Sequence, residues 1–192
     1  MPRVMPEVLW CSNQRQGASN RWSFPPNVDR LLREMTAGKR VLHLFGGLAR
    51  FGTRIDIDPA TQPHVLADAW LPPFQKNAFD VVVVDPPYHS INQQMKQLLI
   101  RSASFIAREL VVWFHVTWIA GDGQCRLERA WLVRVGDSCQ VRCIQVFRTP
   151  PEKTAPRLYF TRGPAIRYNR WLAGEQLLPG LKDDDTRARR PA

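Results

Sequence analysis

The 192-residue chain is long enough to bury a hydrophobic core without disulfides or metals, and its hydrophobic content of 44% and charged content of 23% are ordinary for a globular domain. Its charge is unusual, because 27 Lys and Arg residues against 17 Asp and Glu residues give a formal charge of +10, which favours polyanionic partners such as nucleic acid. No apolar run approaches the roughly 20 residues of a membrane span, and the N-terminus lacks the apolar core of a signal peptide. We therefore expect a cytoplasmic protein with no membrane partner.

Composition divides the chain into three predicted segments. Residues 1–24 lack hydrophobic periodicity and form an N-terminal arm, in which Val8-Leu9-Trp10 is a candidate edge strand. Residues 25–149 alternate between helix and strand patterns, as in a single α/β domain. Residues 150–192 form a basic extension with nine Lys or Arg residues and four aromatic residues, and we expect about the last ten residues to be disordered. Its aromatics can stack on bases, or they can pack on the domain while the charges stay in water.

The domain begins with a helix and a buried strand. The helix is predicted between Asn27, its N-cap, and Gly38, its terminator. The strand Arg40–Phe45 follows and runs directly into Gly46-Gly47. Glycines after a strand let the backbone approach a ligand closely, although such a pair often makes only a tight turn. The pattern departs from the Gly-x-Gly-x-x-Gly dinucleotide fingerprint.

Two acids follow in a second short strand, Thr53–Pro59. Alternation places Asp56 and Asp58 on the same side of an extended segment. A carboxylate at the end of the second strand of such a fold can bind both hydroxyls of a ribose, and Asp58, nearer the tip, is the first candidate. Few residues separate Phe45 from Thr53, so either the first crossover helix is reduced to a turn or the strands are shorter than predicted.

The third candidate strand is His64–Ala67, followed by Asp68-Ala69 and a proline-rich stretch. Asp68 could accept a hydrogen bond from the exocyclic amine of an adenine, with Ala69 and apolar neighbours against the ring. A plain connection between strands is the alternative, and it is favoured when this stretch is taken alone.

The most informative stretch of the chain is Asp85-Pro86-Pro87-Tyr88. It follows Phe79–Val84, whose four valines predict a strand buried on both faces, and so lies at that strand's carboxyl end, where open α/β sheets bind ligands. The prolines lack N–H donors and leave carbonyl oxygens as acceptors. A carboxylate, free carbonyls and an aromatic ring together suit a flat ligand that carries an amino group.

The second half predicts one helix and three strands. Ser90 and Gln93 have the spacing of a capping box at the start of the helix. Leu110–Val116 is predicted as a buried strand, and Ala130–Val135 with Gln140–Phe147 as a β-hairpin. The predicted sheet is therefore mostly parallel with an antiparallel C-terminal hairpin. The four cysteines include no Cys-x-x-Cys pair, and buried thiols are favoured over a zinc site.

In their order, these motifs resemble class I S-adenosylmethionine-dependent methyltransferases, and among them the amino-methyltransferases that modify exocyclic nitrogens of nucleobases. The resemblance covers roughly residues 24–148 and implies a compact Rossmann-like sheet with reduced crossover helices, S-adenosylmethionine as cofactor and no metal. The matching residues are Phe24 and Pro25 beside the methionine part of the cofactor, Val41–Gly47 as the glycine loop, Asp58 as the ribose acid with Asp56 as its substitute, Asp68 and Ala69 at the adenine, and Asp85–Tyr88 as the catalytic motif.

The resemblance also implies a mechanism. Asp85 and the carbonyl of Pro86 would each accept a hydrogen from the target amine, which favours a pyramidal nitrogen with its lone pair towards the methyl group. Tyr88 would stack on a base that has left the duplex. His89 and His115 could border this pocket, although a structural role is the plainer interpretation of each.

Adenine N6 in DNA is the first candidate acceptor. An amine of an RNA base, adenine N6 or guanine N2, is the second. Cytosine N4 in DNA is the third, since family members that act there more often carry Ser at position 85. A non-catalytic nucleic-acid-binding module is the least favoured alternative. Because we find no separate target-recognition domain, specificity would depend on loops and the two terminal segments.

Overall fold

A computed structural model describes residues 5–11, 23–88, 91–119, 125–135 and 141–152, all within the compact unit Met1–Pro156. The predicted basic extension therefore lies, after its first three residues, outside the described part of the chain. The elements are β1 (Glu7–Cys11), α1 (Pro26–Met35), β2 (Val41–Leu44), β3 (Thr53–Asp56), β4 (Val65–Leu66), β5 (Phe79–Val84), α2 (Gln93–Ile106), β6 (Ala107–His115), β7 (Arg126–Val135) and β8 (Val141–Arg148). No helix among these residues is long and apolar enough to cross a membrane.

The described strands form a single mixed sheet with the order β1-β7-β8-β6-β5-β2-β3-β4. Neighbours from β6 through β5, β2 and β3 to β4 are parallel, whereas β8 is antiparallel to both β6 and β7. This arrangement confirms the predicted Rossmann-like sheet with an antiparallel C-terminal hairpin. The segment predicted as an arm contributes β1, which pairs in parallel with β7 at one edge.

Strand β5 lies in the middle of the core, with one helix on each side of the sheet. Its four valines, Val81 to Val84, are completely buried. Val82 and Val84 pack on the face that α2 covers, and Val81 and Val83 pack on the face that α1 covers. Burying four such side chains supplies about 1.5–3 kcal/mol each and fixes the position of the segment that follows.

The helix starts differ from those predicted. Helix α1 begins at Pro26, with Pro25 at the N-cap position, because proline needs no N–H partner in the first turn. The predicted N-cap, Asn27, instead donates its side-chain amide to the carbonyl of Trp10 at 2.6 Å, which ties the helix to β1. Helix α2 is capped by Asn92, whose side chain accepts from the Met95 N–H at 2.9 Å. The Ser90 cap was therefore wrong, although Ser90 itself lies outside the described residues.

Strand limits were predicted to within a few residues, with three informative differences. β3 ends at Asp56, so Asp58 lies beyond the strand in an extended conformation before a short 3-10 turn, Pro59–Thr61. β4 is only two residues long, and β6 begins three residues before its predicted start. The fully described segment 45–52 between β2 and β3 holds no helix, which confirms that the first crossover is reduced to a turn.

Gly52 makes this short crossover possible. Its φ of 69° is in the left-handed region, and an added Cβ would lie 2.8 Å from the Val41 carbonyl oxygen. Gly38 has a similar φ of 73°, but nothing lies within 4 Å of a Cβ there. A side chain at either position would have an unfavourable left-handed backbone, but only a side chain at Gly52 would also clash with its surroundings. Comparing the two positions therefore separates the two costs.

We expect Gly38→Ala to lower the free energy of unfolding by about 1–2 kcal/mol, the cost of a left-handed alanine. Gly52→Ala should lose that amount and about 1–3 kcal/mol more, because its methyl group meets backbone that cannot move aside. Urea denaturation of both variants beside the wild type measures the difference. Equal losses would show that the crossover tolerates a side chain at position 52.

Candidate active site

The site lies where the direction of the sheet's connections reverses. From β2 the chain proceeds to β3 and β4 on one side, and then returns to β5 on the other side of β2. Register places Leu44 and Val84, the last residues of β2 and β5, side by side. The Asp85 N–H lies 3.4 Å from the Leu44 carbonyl oxygen. The turn that follows β2, Phe45–Gly47, is called the glycine turn below. It meets the Asp85–Tyr88 motif at the crevice where open α/β sheets bind ligands.

The glycine turn is tightly built. Phe45 and Gly47 have positive φ values of 59° and 45°, and the Gly46 N–H donates to the Ile55 carbonyl at 2.9 Å. A Cβ on Gly46 would lie 2.8 Å from the Arg54 Cβ, so the turn can come this close to β3 only with glycine there. The Arg54 guanidinium donates to the Gly47 carbonyl at 2.7 Å and holds the turn from the other side.

Asp56 and Asp58 occupy different positions relative to this turn. The half-buried Asp56 accepts from the Gly47 N–H at 2.9 Å through Oδ2 and from the Asp58 N–H at 3.0 Å through Oδ1. Asp58 is exposed, and its carboxylate caps the following 3-10 turn by accepting from the Ala60 N–H at 2.9 Å. The carboxylate in direct contact with the glycine turn is therefore that of Asp56.

Asp68 and Ala69 follow β4 and precede Trp70, whose ring contacts Phe45 of the glycine turn. The Asp68 carboxylate accepts from the Trp70 N–H at 2.9 Å, which forms a local turn, and Ala69 is buried in the core. The Trp70 ring packs edge-on against the Phe45 ring, with centroids 5.8 Å apart. These residues border the same crevice from the β3–β4 side of the sheet.

Phe24 and Pro25 reach the sheet from the start of α1. The Phe24 ring contacts the rings of His43 and Phe114, with centroids 5.8 Å and 5.5 Å away, and Pro25 is buried. The two contacted residues belong to β2 and β6, the strands on either side of β5. His43 is buried between Phe24 and Phe51, and this burial lowers its pKa to about 3, so it remains neutral.

Asp85 combines a carboxylate with an apolar environment. Burial raises its pKa to about 7, an effect that the positive charge of Arg142 and a hydrogen bond from Tyr88 only partly offset. The Tyr88 hydroxyl donates to Asp85 Oδ1 at 3.4 Å. Pro86 is buried, whereas Pro87 is exposed. At neutral pH the carboxyl group is thus poised between its protonated and ionised forms.

Arg142, on β8, reaches the motif from across the sheet. Its guanidinium lies over the Tyr88 ring at 5.3 Å from the centroid and over the Phe114 ring at 5.6 Å. It carries the positive charge that lowers the pKa of Asp85. Arg142 was not predicted as a site residue, because only the register of β8 against β6 brings it here.

A buried polar chain supports Tyr88 from the α2 side. The Lys96 ammonium donates to Thr117 Oγ1 at 2.8 Å, and the same hydroxyl lies 2.8 Å from His115 Nδ1. The Thr117 N–H also donates to that nitrogen, at 3.0 Å, so His115 is neutral with its proton on Nε2. The His115 ring contacts the Tyr88 ring at right angles, with centroids 4.9 Å apart.

Burial and the nearby Lys96 keep His115 neutral by lowering its pKa to about 4. Within the described chain, its buried Nε2 has no hydrogen-bond partner. From sequence, His115 was expected to have a structural role rather than to border the pocket, and Lys96 was not predicted as a site residue. The available signal was a lysine on an otherwise apolar helix face, since Lys96 is buried together with Leu99 and Ile100. His89 lies outside the described residues.

Solved structures that match this chain share little sequence identity with it. No family model matches the sequence, and no curated protein matches it. Among solved structures, the Escherichia coli protein yhhF, described as a methyltransferase, is 18% identical with a TM-score of 0.47, over 67% of this chain and 87% of that one. A Pyrococcus horikoshii protein described as an RNA methyltransferase is 14% identical with a TM-score of 0.48, over 66% and 85%. The N-methyltransferase NodS from Bradyrhizobium japonicum is 15% identical with a TM-score of 0.48, over 63% and 91%. At these identities and scores, function has to be inferred from the site itself.

Proposed function

We propose that this protein is an S-adenosylmethionine-dependent methyltransferase that methylates an exocyclic amine of a nucleobase, with adenine N6 in DNA as the first acceptor to test. The observation that carries the proposal is the position of Asp85-Pro86-Pro87-Tyr88. The motif lies at the carboxyl end of strand β5, whose last four residues are fully buried, beside the glycine turn of the neighbouring strand and at the reversal point of the sheet. A methyl donor and an amine would therefore meet at a single crevice.

The residues around the glycine turn fit the chemistry of S-adenosylmethionine. The absence of a side chain at Gly46 lets the turn approach β3, and Asp56 offers a carboxylate to ribose hydroxyls. Phe45 and Trp70, which pack against the core that contains the buried Ala69, offer apolar surface to an adenine, with Asp68 beside them. Phe24 and Pro25 would border the methionine part. When bound, the cofactor supplies an electrophilic methyl group on a sulfonium.

Asp85 and Pro86 would prepare the acceptor nitrogen. The lone pair of a base amine is delocalised into the ring, which makes the amine a poor nucleophile. The ionised Asp85 carboxylate and the Pro86 carbonyl would each accept one amine hydrogen, and two such contacts favour a pyramidal nitrogen with a localised lone pair. Tyr88, which contacts Asp85, His115 and Arg142, would stack on the base.

Transfer of radiolabelled methyl groups tests this function. The full chain is incubated with labelled S-adenosylmethionine and with duplex DNA, single-stranded DNA or RNA. We expect label in DNA above a background measured without protein. Incorporation into RNA alone would support methyl transfer to a nucleic acid and would identify RNA, instead of DNA, as the substrate. No label in any polymer, from a protein that is folded and binds the cofactor, would refute the proposal.

The ribose contact can be assigned by comparing two acids that lie two residues apart. The geometry favours Asp56 over Asp58, the reverse of the order expected from sequence, because only Asp56 bonds to the glycine turn. We expect Asp56→Asn to weaken S-adenosylmethionine binding by about 10- to 100-fold, the range for a hydrogen bond to a charged group. Asp58→Asn should change the dissociation constant by no more than a few-fold. Calorimetric titration of both variants provides the comparison, and a larger loss in Asp58→Asn would return the ribose role to Asp58.

A further inference from the structure

Trp118 is unusually placed for a large apolar side chain. It is 43% exposed, and it is the third residue after strand β6, which ends at His115 beside the Asp85–Tyr88 motif. Single exposed hydrophobic residues are common and by themselves indicate no function. What distinguishes Trp118 is how firmly the backbone on both sides of it is fixed.

The residue before Trp118 is held from three elements. The Thr117 carbonyl accepts from Trp113 Nε1 at 3.2 Å and from the Cys143 thiol at 3.2 Å. Its N–H donates to His115 Nδ1 at 3.0 Å, and its hydroxyl accepts from Lys96 at 2.8 Å. Helix α2 and strands β6 and β8 therefore all fix Thr117.

The residue after Trp118 is clamped by one side chain. Gln145, fully buried on β8, accepts from the Ile119 N–H through Oε1 at 2.8 Å. Its Nε2 donates to the Ile119 carbonyl, also at 2.8 Å. Ile119 is itself buried in the core. The segment 117–119 is thus a rigid turn whose middle residue alone projects a large side chain into solvent.

The turn is linked directly to the proposed base pocket. The Thr117 hydroxyl lies 2.8 Å from His115 Nδ1, and the His115 ring contacts the Tyr88 ring. The path from Trp118 to Tyr88 therefore runs through the peptide bond to Thr117, the contact between Thr117 and His115, and the contact between His115 and Tyr88. Because β6 runs parallel to β5, Trp118 follows its strand at the same edge of the sheet at which Tyr88 follows β5.

We propose that Trp118 is a stacking platform for an unpaired nucleobase adjacent to the base that is methylated. This inference rests on the proposed function. Taking a base out of its stack deprives the neighbouring base of a stacking partner, and an indole ring replaces that surface. A preformed aromatic loses little side-chain entropy on binding, which suits a rigid turn. The chain's charge of +10 favours nucleic acid over an apolar protein partner as the occupant.

Binding of fluorescein-labelled single-stranded oligodeoxynucleotides, followed by anisotropy, tests this platform. Trp118→Ala should raise the dissociation constant by about 5- to 100-fold, the range for losing one stacked base, and Trp118→Phe should recover most of it. Trp10 provides the matched control. It is 60% exposed, but this part of the predicted arm forms edge strand β1, and β7 and β8 separate that strand from β6. Trp10→Ala should stay within two-fold of the wild type.

A second oligonucleotide, with one adenine between abasic sites, identifies the contact. The difference between wild type and Trp118→Ala should disappear with it, because no neighbouring base remains to stack. Wild-type affinity in Trp118→Ala, an equal loss in Trp10→Ala, or a difference that persists with abasic neighbours would overturn the platform while leaving methyl transfer intact. A wild-type protein that neither binds nor methylates any nucleic acid would overturn both proposals.

Discussion

Asp85→Ala is expected to reduce methyl transfer by at least about 100- to 1,000-fold, as the removal of one preorganised polar contact to a reacting group does elsewhere. The substitution removes the carboxylate that would accept an amine hydrogen, while the glycine turn and Asp56 on β3 are untouched. The dissociation constant for S-adenosylmethionine should therefore stay within a few-fold. Single-turnover methyl transfer and calorimetry measure the two effects separately.

The same strand offers a control for this variant. Asp80 lies at the amino end of β5, and it accepts from the Arg40 N–H at 2.9 Å, far along the strand from the crevice. Hydrogen bonding to the Arg40 backbone holds its pKa below the usual range. Asp80→Ala should cost stability and leave the rate per folded molecule unchanged. Near-normal methyl transfer by Asp85→Ala would exclude the proposed amine contact.

The rate of methyl transfer is expected to rise with pH through about 7 and to shift to higher pH in Arg142→Gln. Only the ionised carboxylate of Asp85 accepts an amine hydrogen, and its pKa is about 7. The guanidinium of Arg142 stabilises this ionised form, so removing the charge raises the pKa further. Arg142→Gln should therefore be slow at neutral pH and recover at alkaline pH, whereas Arg142→Lys should keep most of the wild-type profile.

Three other titratable groups near Asp85, those of His115, Cys143 and Tyr88, have pKa values far from 7. The pKa of His115 is about 4 and that of Cys143 about 11, and that of Tyr88 is raised above its usual range by burial and by the Asp85 charge. Lys96 donates a hydrogen bond to Thr117, and its positive charge helps to lower the pKa of His115. A pH profile that is identical in wild type and Arg142→Gln would mean that another group controls the rate.

The same carboxyl group links activity to stability. Its pKa is higher in the folded protein than the value of 3.8 for a free aspartate, so the folded state favours the protonated form. The contribution of the protonated Asp85 carboxyl group to the free energy of unfolding is fully present below about pH 4 and is lost as pH rises through about 7. Ionisation, which the proposed chemistry requires, is therefore unfavourable to the fold. A functional site that opposes stability in this way is a common compromise in enzymes.

Local patterns were sufficient to predict the centre of this fold. Four valines before Asp85 predict a strand buried on both faces, because no other common element buries consecutive β-branched residues in this way. The turn residues after it then follow at the ligand-binding edge. Gly46 and Gly47 were predicted either as a close approach of backbone to a ligand or as a tight turn. The short distance between Gly46 and β3 shows the tight turn, and the ligand contact stays a prediction.

Contacts between distant segments could not be predicted in this way. Asn27 looks like an N-cap, but its amide satisfies the carbonyl of Trp10, which sequence does not place nearby. Arg142 reaches Tyr88 only because β8 is inserted antiparallel beside β6. A lysine on an apolar helix face is unusual and can be recognised from sequence. Its partner, Thr117, lies in the turn after β6, and local patterns do not predict that contact. In each case a long-range hydrogen bond or ring contact overrides a local preference.

Mass spectrometry of nucleosides tests the central claim most directly. DNA and RNA treated with S-adenosylmethionine and either wild type or Asp85→Ala are digested to nucleosides and compared with methylated standards. We predict N6-methyldeoxyadenosine with the wild type and none with the variant. Methylation confined to a ring nitrogen, a ring carbon or a sugar oxygen, or an equal amount of N6-methyldeoxyadenosine with Asp85→Ala, would contradict a site built around Asp85 for an exocyclic amine.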